Sequence, residues 1–331
     1  MKPAYPVLLA TLAGLVLILF FLSLIAGRNP LPIWEAASQA LTHQDSVLAI
    51  ILMEIRLPRA LIGLFAGASL GLCGAAIQGL LRNPLASPGL IGSASGAALM
   101  AVIVLYFGLQ ALSLQLLPLA GMGGALLATL LVYALAGQNA SITTLILAGV
   151  AINALATAGM SLLLNLAPSP YAMRELVLWT LGDLTDRSLE DFRLMLPFTL
   201  LGWLLLLGTG RQLNALTLGE DTALTLGVHP VRLRWQVFIA VSFATGAAVA
   251  TIGMVGFIGL VVPHLLRPLV DHQPSRLLPV SALGGAAILL AADIGVRLIP
   301  TQTPLKVGVL TALVGAPFFL YLIVRSRRSH L

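Results

Sequence analysis

The amino-acid sequence predicts an all-α, polytopic membrane protein of about ten transmembrane helices. Apolar stretches long enough to cross a bilayer recur between residues 7 and 324. Hydrophobic residues make up 59% of the 331 and charged residues only 9%, whereas a soluble domain is about 25% charged. Mean hydropathy is +1.01. A spanning helix needs ~20 apolar residues to cross ~30 Å of hydrocarbon, because each backbone N–H and C=O must be bonded within the segment.

The first span covers 7–26, with Lys2 before it and Arg28 after it. It is too long for a cleaved signal peptide and lacks a small-x-small cleavage site, so it reads as a retained helix with its start in the cytoplasm. Further spans fall at 60–81, 93–107, 112–136, 143–166, 194–209, 235–252, 257–266, 277–296 and 307–324. The glycines between 246 and 259 blur the boundary between the seventh and eighth spans, and merging those two would invert all that follows. With ten spans and the N-terminus inside, the cytoplasmic side carries ten Lys and Arg against three acids, and the other side eight against nine. Arg325, Arg327 and Arg328 in the tail carry most of this orientation, which also places the C-terminus inside. The basic character therefore reflects topology and implies no nucleic-acid partner.

Within the second span lies Cys73, the only cysteine, so neither a disulfide framework nor a cysteine metal cluster exists. Gly63, Gly67, Gly71 and Gly74 share one face of that span and suit close helix packing. Several chemistries are missing. A chain that hydrolysed ATP would need a Gly-x-x-x-x-Gly-Lys-Ser/Thr loop, yet the two lysines are Lys2 and Lys306, so another subunit must handle ATP. An ion-coupled carrier needs intramembrane acids, and Asp293 is the one candidate. It lies four residues before Arg297, where the two share a helix face; a structural pair and a proton relay are the alternatives. His43, His264 and His272 have no second ligand at metal spacing. No metal site and no catalytic residue is assigned.

Three segments carry information of their own. Arg56 and Arg59 flank Pro58 at the mouth of the second span and face outward against the positive-inside trend. They either meet something anionic, or pair with Glu54 or Asp45, or anchor the interface. The inner stretch 214–234 contains Leu-Thr-Leu-Gly twice, ending at Gly219 and Gly227, which predicts a short helix between glycine turns with Glu220 and Asp221 in its first turn. Arg82, Asn83, Pro84 and Leu85 break the second span at its inner end, and Pro88-Gly89 follows, so the backbone there must line a cavity or contact protein.

Four motifs in order tie these segments together: Arg-Leu-Pro-Arg at 56–59, Leu-Arg-Asn-Pro-Leu-Ala-Ser-Pro-Gly-Leu-Ile-Gly at 81–92, Leu-Gly-Glu-Asp-Thr-Ala-Leu-Thr-Leu-Gly-Val at 218–228, and Gly-Phe-Ile-Gly-Leu-Val-Val-Pro-His at 256–264. With the tail segment 305–319, they resemble the FecCD-type permeases of binding-protein-dependent ABC importers for iron-siderophores, haem and vitamin B12 over almost the whole chain. The resemblance implies a type II importer permease forming one transmembrane domain over 1–331. It works as a homodimer, or with a paralogue, beside two ATP-binding cassette subunits and a periplasmic or surface substrate-binding protein, in the bacterial inner membrane.

By the same resemblance, Arg56, Arg59 and Arg297 receive carboxylates of the binding protein, for which the planar guanidinium fork is suited. The stretch 214–234 becomes the coupling loop. In it Leu218, Ala223, Leu224 and Leu226 supply apolar contact to the ATPase, Gly219 and Gly227 frame the helix, and Glu220 and Asp221 start it. Glu220, Arg232 and Arg234 set its orientation; Asp221 stands where relatives often have Glu. Asn83, Leu85, Ser141 and Thr143 become a cytoplasmic gate, and a short helix within 171–184 puts Trp179 at the outer mouth of the pathway. No cofactor belongs to this chain; ATP and Mg belong to the partner ATPase. The implied cargo is a ferric siderophore, haem or related chelate, with cobalamin as the alternative. A secondary carrier and a purely structural subunit are the rival classes: the first predicts protonophore-sensitive, vanadate-insensitive uptake, and the second predicts that bulky substitutions at the gate cost nothing.

Overall fold

The computed structural model describes residues 4–27, 29–42, 46–113, 115–137, 141–301, 303 and 305–328, and among them the chain is helical with no strand. Lys2, Arg28, His43 and Asp45 lie outside the described residues. The helices run α1 (Tyr5–Ile25), α2 (Ile33–Leu41) and α3 (Val47–Ile50), the last passing through a wide π turn at Ile51–Arg56 into α4 (Leu57–Leu80). There follow α5 (Ser93–Tyr106), α6 (Leu116–Ala136), α7 (Ile142–Asn165), α8 (Pro170–Thr180), α9 (Leu189–Leu206), α10 (Thr209–Leu216) and α11 (Glu220–Thr225). The series ends with α12 (Pro230–Ile252), α13 (Ile258–Leu266), α14 (Pro274–Leu298) and α15 (Val307–Arg328).

An apolar helix stands at each of the ten expected spans, but the spans are unequal. Six described helices are long and apolar enough to cross a membrane alone, and α9 with α10 makes a seventh that bends by 49°. The other three, in α5, α13 and α15, are shorter apolar helices. At 1.5 Å per residue the 14 residues of α5 rise only ~21 Å, so α5 needs protein around its ends. The seventh and eighth spans are separate, since Gly253 (φ 73°) and Phe257 (φ 67°) turn the chain between α12 and α13. Boundaries differ from expectation in one instructive place: α12 begins at Pro230, which fixes φ and needs no N–H donor at a helix start, so most of 214–234 is helix.

The buried centre is α4, which packs on α14, α12, α13 and α9, while α1 lies outermost against α14. Small residues set these distances. A Cβ on Gly71 would sit 2.0 Å from the Ser281 carbonyl oxygen, one on Gly67 2.5 Å from that of Gly285, and one on Gly285 2.2 Å from that of Gly67. The two backbones therefore touch, as the glycine face predicts. Gly74 meets α13 in the same way, its Cβ position 1.9 Å from the Gly259 carbonyl. Gly63 has ordinary clearance, with Leu290 3.4 Å away.

Candidate functional site

At one end of the helices, α1, α4 and α14 bring Arg56, Arg59 and Arg297 to the walls of a single cavity of about 220 Å³. Arg56 leaves the π turn and donates to the carbonyls of Leu24, Ile25, Ala26 and Asn29 at 2.5–3.3 Å. It thereby closes the C-terminus of α1, where unpaired carbonyls favour a cation. Arg59 donates from Nε and Nη2 to one oxygen of Asp293, at 2.9 and 2.7 Å. The other carboxylate oxygen lies 2.7 Å from Arg297 Nη2 in a charge contact without hydrogen-bond alignment. Arg297 also donates to the Ser23 and Ala26 carbonyls and the Ser23 hydroxyl. Asp293 is 1% exposed, against 14% and 11% for its two arginines. The expected pairing of Asp293 with Arg297 is present, and Arg59 is a second partner from 234 residues away. Pairing of Arg56 with Glu54 is replaced by the carbonyl contacts.

Toward the middle, three chain breaks meet. Asp183 N–H donates to the Ile252 carbonyl at 2.7 Å, and Gly308 N–H to that of Gly182 at 3.2 Å. Nearby, the irregular segment after α4 carries Arg82 in the left-handed region and one 3-10 turn at Pro88–Ile91. Its polar groups find partners inside protein, as they must at this depth: Asn153 Nδ2 of α7 donates to the Gly89 carbonyl at 2.6 Å, and Ser93 Oγ to that of Pro88 at 3.1 Å. These breaks border an open, mainly apolar cavity of about 690 Å³ whose walls include Leu70, Pro88, Gly89, Leu181, Phe257 and Ala312. Its volume falls in the range of small-molecule pockets, ~300–1,000 Å³. Beside it, Lys306 holds Asp183 in an ion pair. Burial alone would push the Asp183 carboxyl up, but the bonds from Lys306 and Thr185 hold it below the ordinary carboxylate value.

The opposite end carries α11. Gly219 (φ 107°) and Gly227 (φ 79°) bracket its six residues, as the repeated Leu-Thr-Leu-Gly predicts. Leu218, Leu224 and Leu226 are exposed, at 64%, 50% and 61%. Ala223 differs from expectation, being wholly buried in the core formed by α10 and α12, so it anchors the helix and offers no outer contact. Glu220 accepts from Arg234 Nη2 at 2.6 Å and ties α11 to α12. Arg232 and Asp221 remain exposed.

The proposed gate residues occupy two places. Asn83 accepts from Leu85 N–H within its own turn, leaving Leu85 exposed. Ser141 caps α7 by accepting from Thr144 N–H, with Thr143 exposed beside it. The expected short helix around 171–184 is α8, but Trp179 packs into the core with α5, and Thr180 and Leu181 line the cavity in its stead. Sequence reasoning passed over Gln78, which is fully buried, donates to the Leu260 carbonyl and accepts from Arg267 at 2.6 Å. A lone amide in an apolar span is the signal that could have found it, and Asn153 in α7 is the same case.

Comparison with known proteins agrees with this architecture. The FecCD transport family matches residues 15–325. Curated relatives include the hemin transport system permease HmuU of Yersinia pestis, 39% identical over 87% of this chain and 87% of that protein. The Fe(3+) dicitrate transport system permease FecD of Escherichia coli is 41% identical over 84% and 86%. The cobalamin import system permease BtuC of Halobacterium salinarum is 41% identical over 83% and 73%. Among solved structures, a metal-chelate type ABC transporter in an inward-facing conformation superposes with a TM-score of 0.85 at 32% identity, over 97% of this chain and 99% of that one.

Proposed function

Because this chain belongs to the FecCD transport family and is a permease subunit of an ABC transporter, we propose that it forms the inner-membrane pathway of an importer for a ferric siderophore, haem or related chelate. Cobalamin is a second reading, favoured by the haloarchaeal relative's comparable identity. The observation that carries the coupling half of the proposal is α11: a glycine-bracketed helix, anchored by Ala223 and Glu220, with Leu224 exposed on it and Leu218 and Leu226 exposed at its two ends. Exposed apolar side chains on a short, tethered helix suit docking in a groove of a separate ATPase subunit, which supplies ATP and Mg. That end is then cytoplasmic.

The arginine end is then the outer face. Asp293 balances one of three guanidiniums, so the cavity keeps net positive charge and suits the carboxylates of a substrate-binding protein. A second permease copy would complete a passage on the open side of the apolar cavity, with Asn83, Leu85, Ser141 and Thr143 closing it inside. Cargo delivered outside is expelled inward as the ATPase pair closes; no covalent step occurs in this chain. Reconstitution into liposomes with its ATPase and binding protein tests this. ATP-dependent, vanadate-sensitive uptake of one chelate class is expected, with salt slowing association of the binding protein. Uptake that runs without ATP and stops with a protonophore would falsify it.

A further inference from the structure

A third open cavity, about 670 Å³, is used by none of the functions above. It lies where α9 bends into α10 over the start of α14, and its walls include Leu72, Trp203, Leu278 and Ala282, with Arg211 at the rim. Depth follows from helix rise: Ala282 lies seven residues into α14 from Ser275, so the groove runs ~10 Å into the spanning region from the α11 end. Its flanks are apolar outward. Leu200, Leu204 and Leu207 of the α9 arm and Leu15, Leu17 and Ile18 of α1 are exposed. Water does not suit such a surface; hydrocarbon does.

Charge selects the occupant. Arg211 is exposed and makes no ion pair or hydrogen bond among the described residues, although it stands at the apolar boundary where a guanidinium is expected to find an anion. It sits in the first turn of α10, whose N-cap Gly208 gives no side-chain bond, so the positive helix end adds to the same field. Pro279 has no N–H to give the Ser275 carbonyl one turn back, and both residues line the groove. We propose that this groove binds one anionic phospholipid of the α11-side leaflet, with its phosphate on Arg211 and an acyl chain along Leu72, Leu278 and Ala282. The lipid would wedge the bend between α9 and α10, the arm that leads to α11.

Native mass spectrometry of the assembled transporter, stripped of lipid and titrated with phosphatidylglycerol or phosphatidylcholine, tests the assignment. One phosphatidylglycerol per permease chain is expected to bind about fivefold tighter than phosphatidylcholine, the preference of a single basic side chain at an anionic surface. Arg211→Glu should erase that preference while leaving the melting temperature unchanged, and Ala282→Trp should block binding of both lipids. Equal affinity for the two lipids in the unsubstituted chain would overturn the proposal, as would a preference that survives in Arg211→Glu. Separation of the assembled transporter into single permease chains by Ala282→Trp would place a second copy in the groove, and would overturn it too.

Discussion

The two ends of this molecule solve opposite problems with similar residues. At the arginine end, charges face inward: Asp293 is enclosed by Arg59 and Arg297, and Arg56 donates to three carbonyls of the α1 terminus and to that of Asn29 beyond it. At the α11 end the Glu220–Arg234 ion pair holds a helix set between two glycines in positive φ, with Leu224 and Leu226 exposed between them and Leu218 exposed just before. One end keeps a surplus of positive charge around groups already bonded within the chain; the other presents exposed apolar side chains. The difference teaches that a charged face and an apolar face declare themselves by different signs, residual net charge at the one and exposed leucine at the other.

The strongest way to break this contrast is Asp293→Ala. It leaves two partly buried guanidiniums facing each other without a carboxylate, and removing one partner of a buried pair typically costs about 3–5 kcal/mol. Thermal unfolding in detergent should show a large loss; an unchanged Tm would mean that solvent already screens the cluster. Leu224→Asp should do the reverse. Its site is half exposed, so stability should move by less than about 0.5 kcal/mol, while co-purification with the ATPase and uptake should both be lost. Retention of both would reduce α11 to a plain connector.

Glu220→Ala is expected to act in between. The carboxylate is more than a third exposed, so losing its bond to Arg234 should cost only about 1 kcal/mol after screening, and uptake should fall a few-fold without vanishing. The smallest effect belongs to Asp183. Its folded carboxyl lies below the ordinary value of ~3.9, so its contribution is complete above that value and is lost as pH falls through the lower folded value. Asp183→Asn should flatten that acid limb in a pH series of melting temperatures. An unaltered limb would show that the Lys306 pair contributes nothing there.

Much of this was legible in the sequence because it is local. Span positions, the Gly67 and Gly71 face, the Asp293–Arg297 spacing and the glycine-framed α11 follow from periodicity over a few residues. What escaped is long-range. Nothing near Arg59 in the chain points to Asp293, and nothing near Gln78 points to Arg267. The inward turn of Ala223 and the burial of Trp179 depend on neighbours supplied by other helices. The resemblance implies a docking role for Arg56, Arg59 and Arg297; their bonds within the chain, which leave that role open, are visible only once α1, α4 and α14 are brought together.

The contact of α4 with α14 has a mechanical consequence. Where two backbones meet with no side chain between them at Gly67, Gly71 and Gly285, sliding is blocked by carbonyl oxygens on either side. Such a pair would act as a strut, so that a push delivered near α11 by a docked partner would not be dissipated along it. Strain would then emerge where the chain is already bent out of helix, at Arg82, Gly92, Gly182, Gly253 and Phe257. Phe257 lines the large apolar cavity, and Gly182 and Gly253 each adjoin a lining residue, Leu181 and Met254, so a stiff spine would convert force at one end into a change of aperture halfway along.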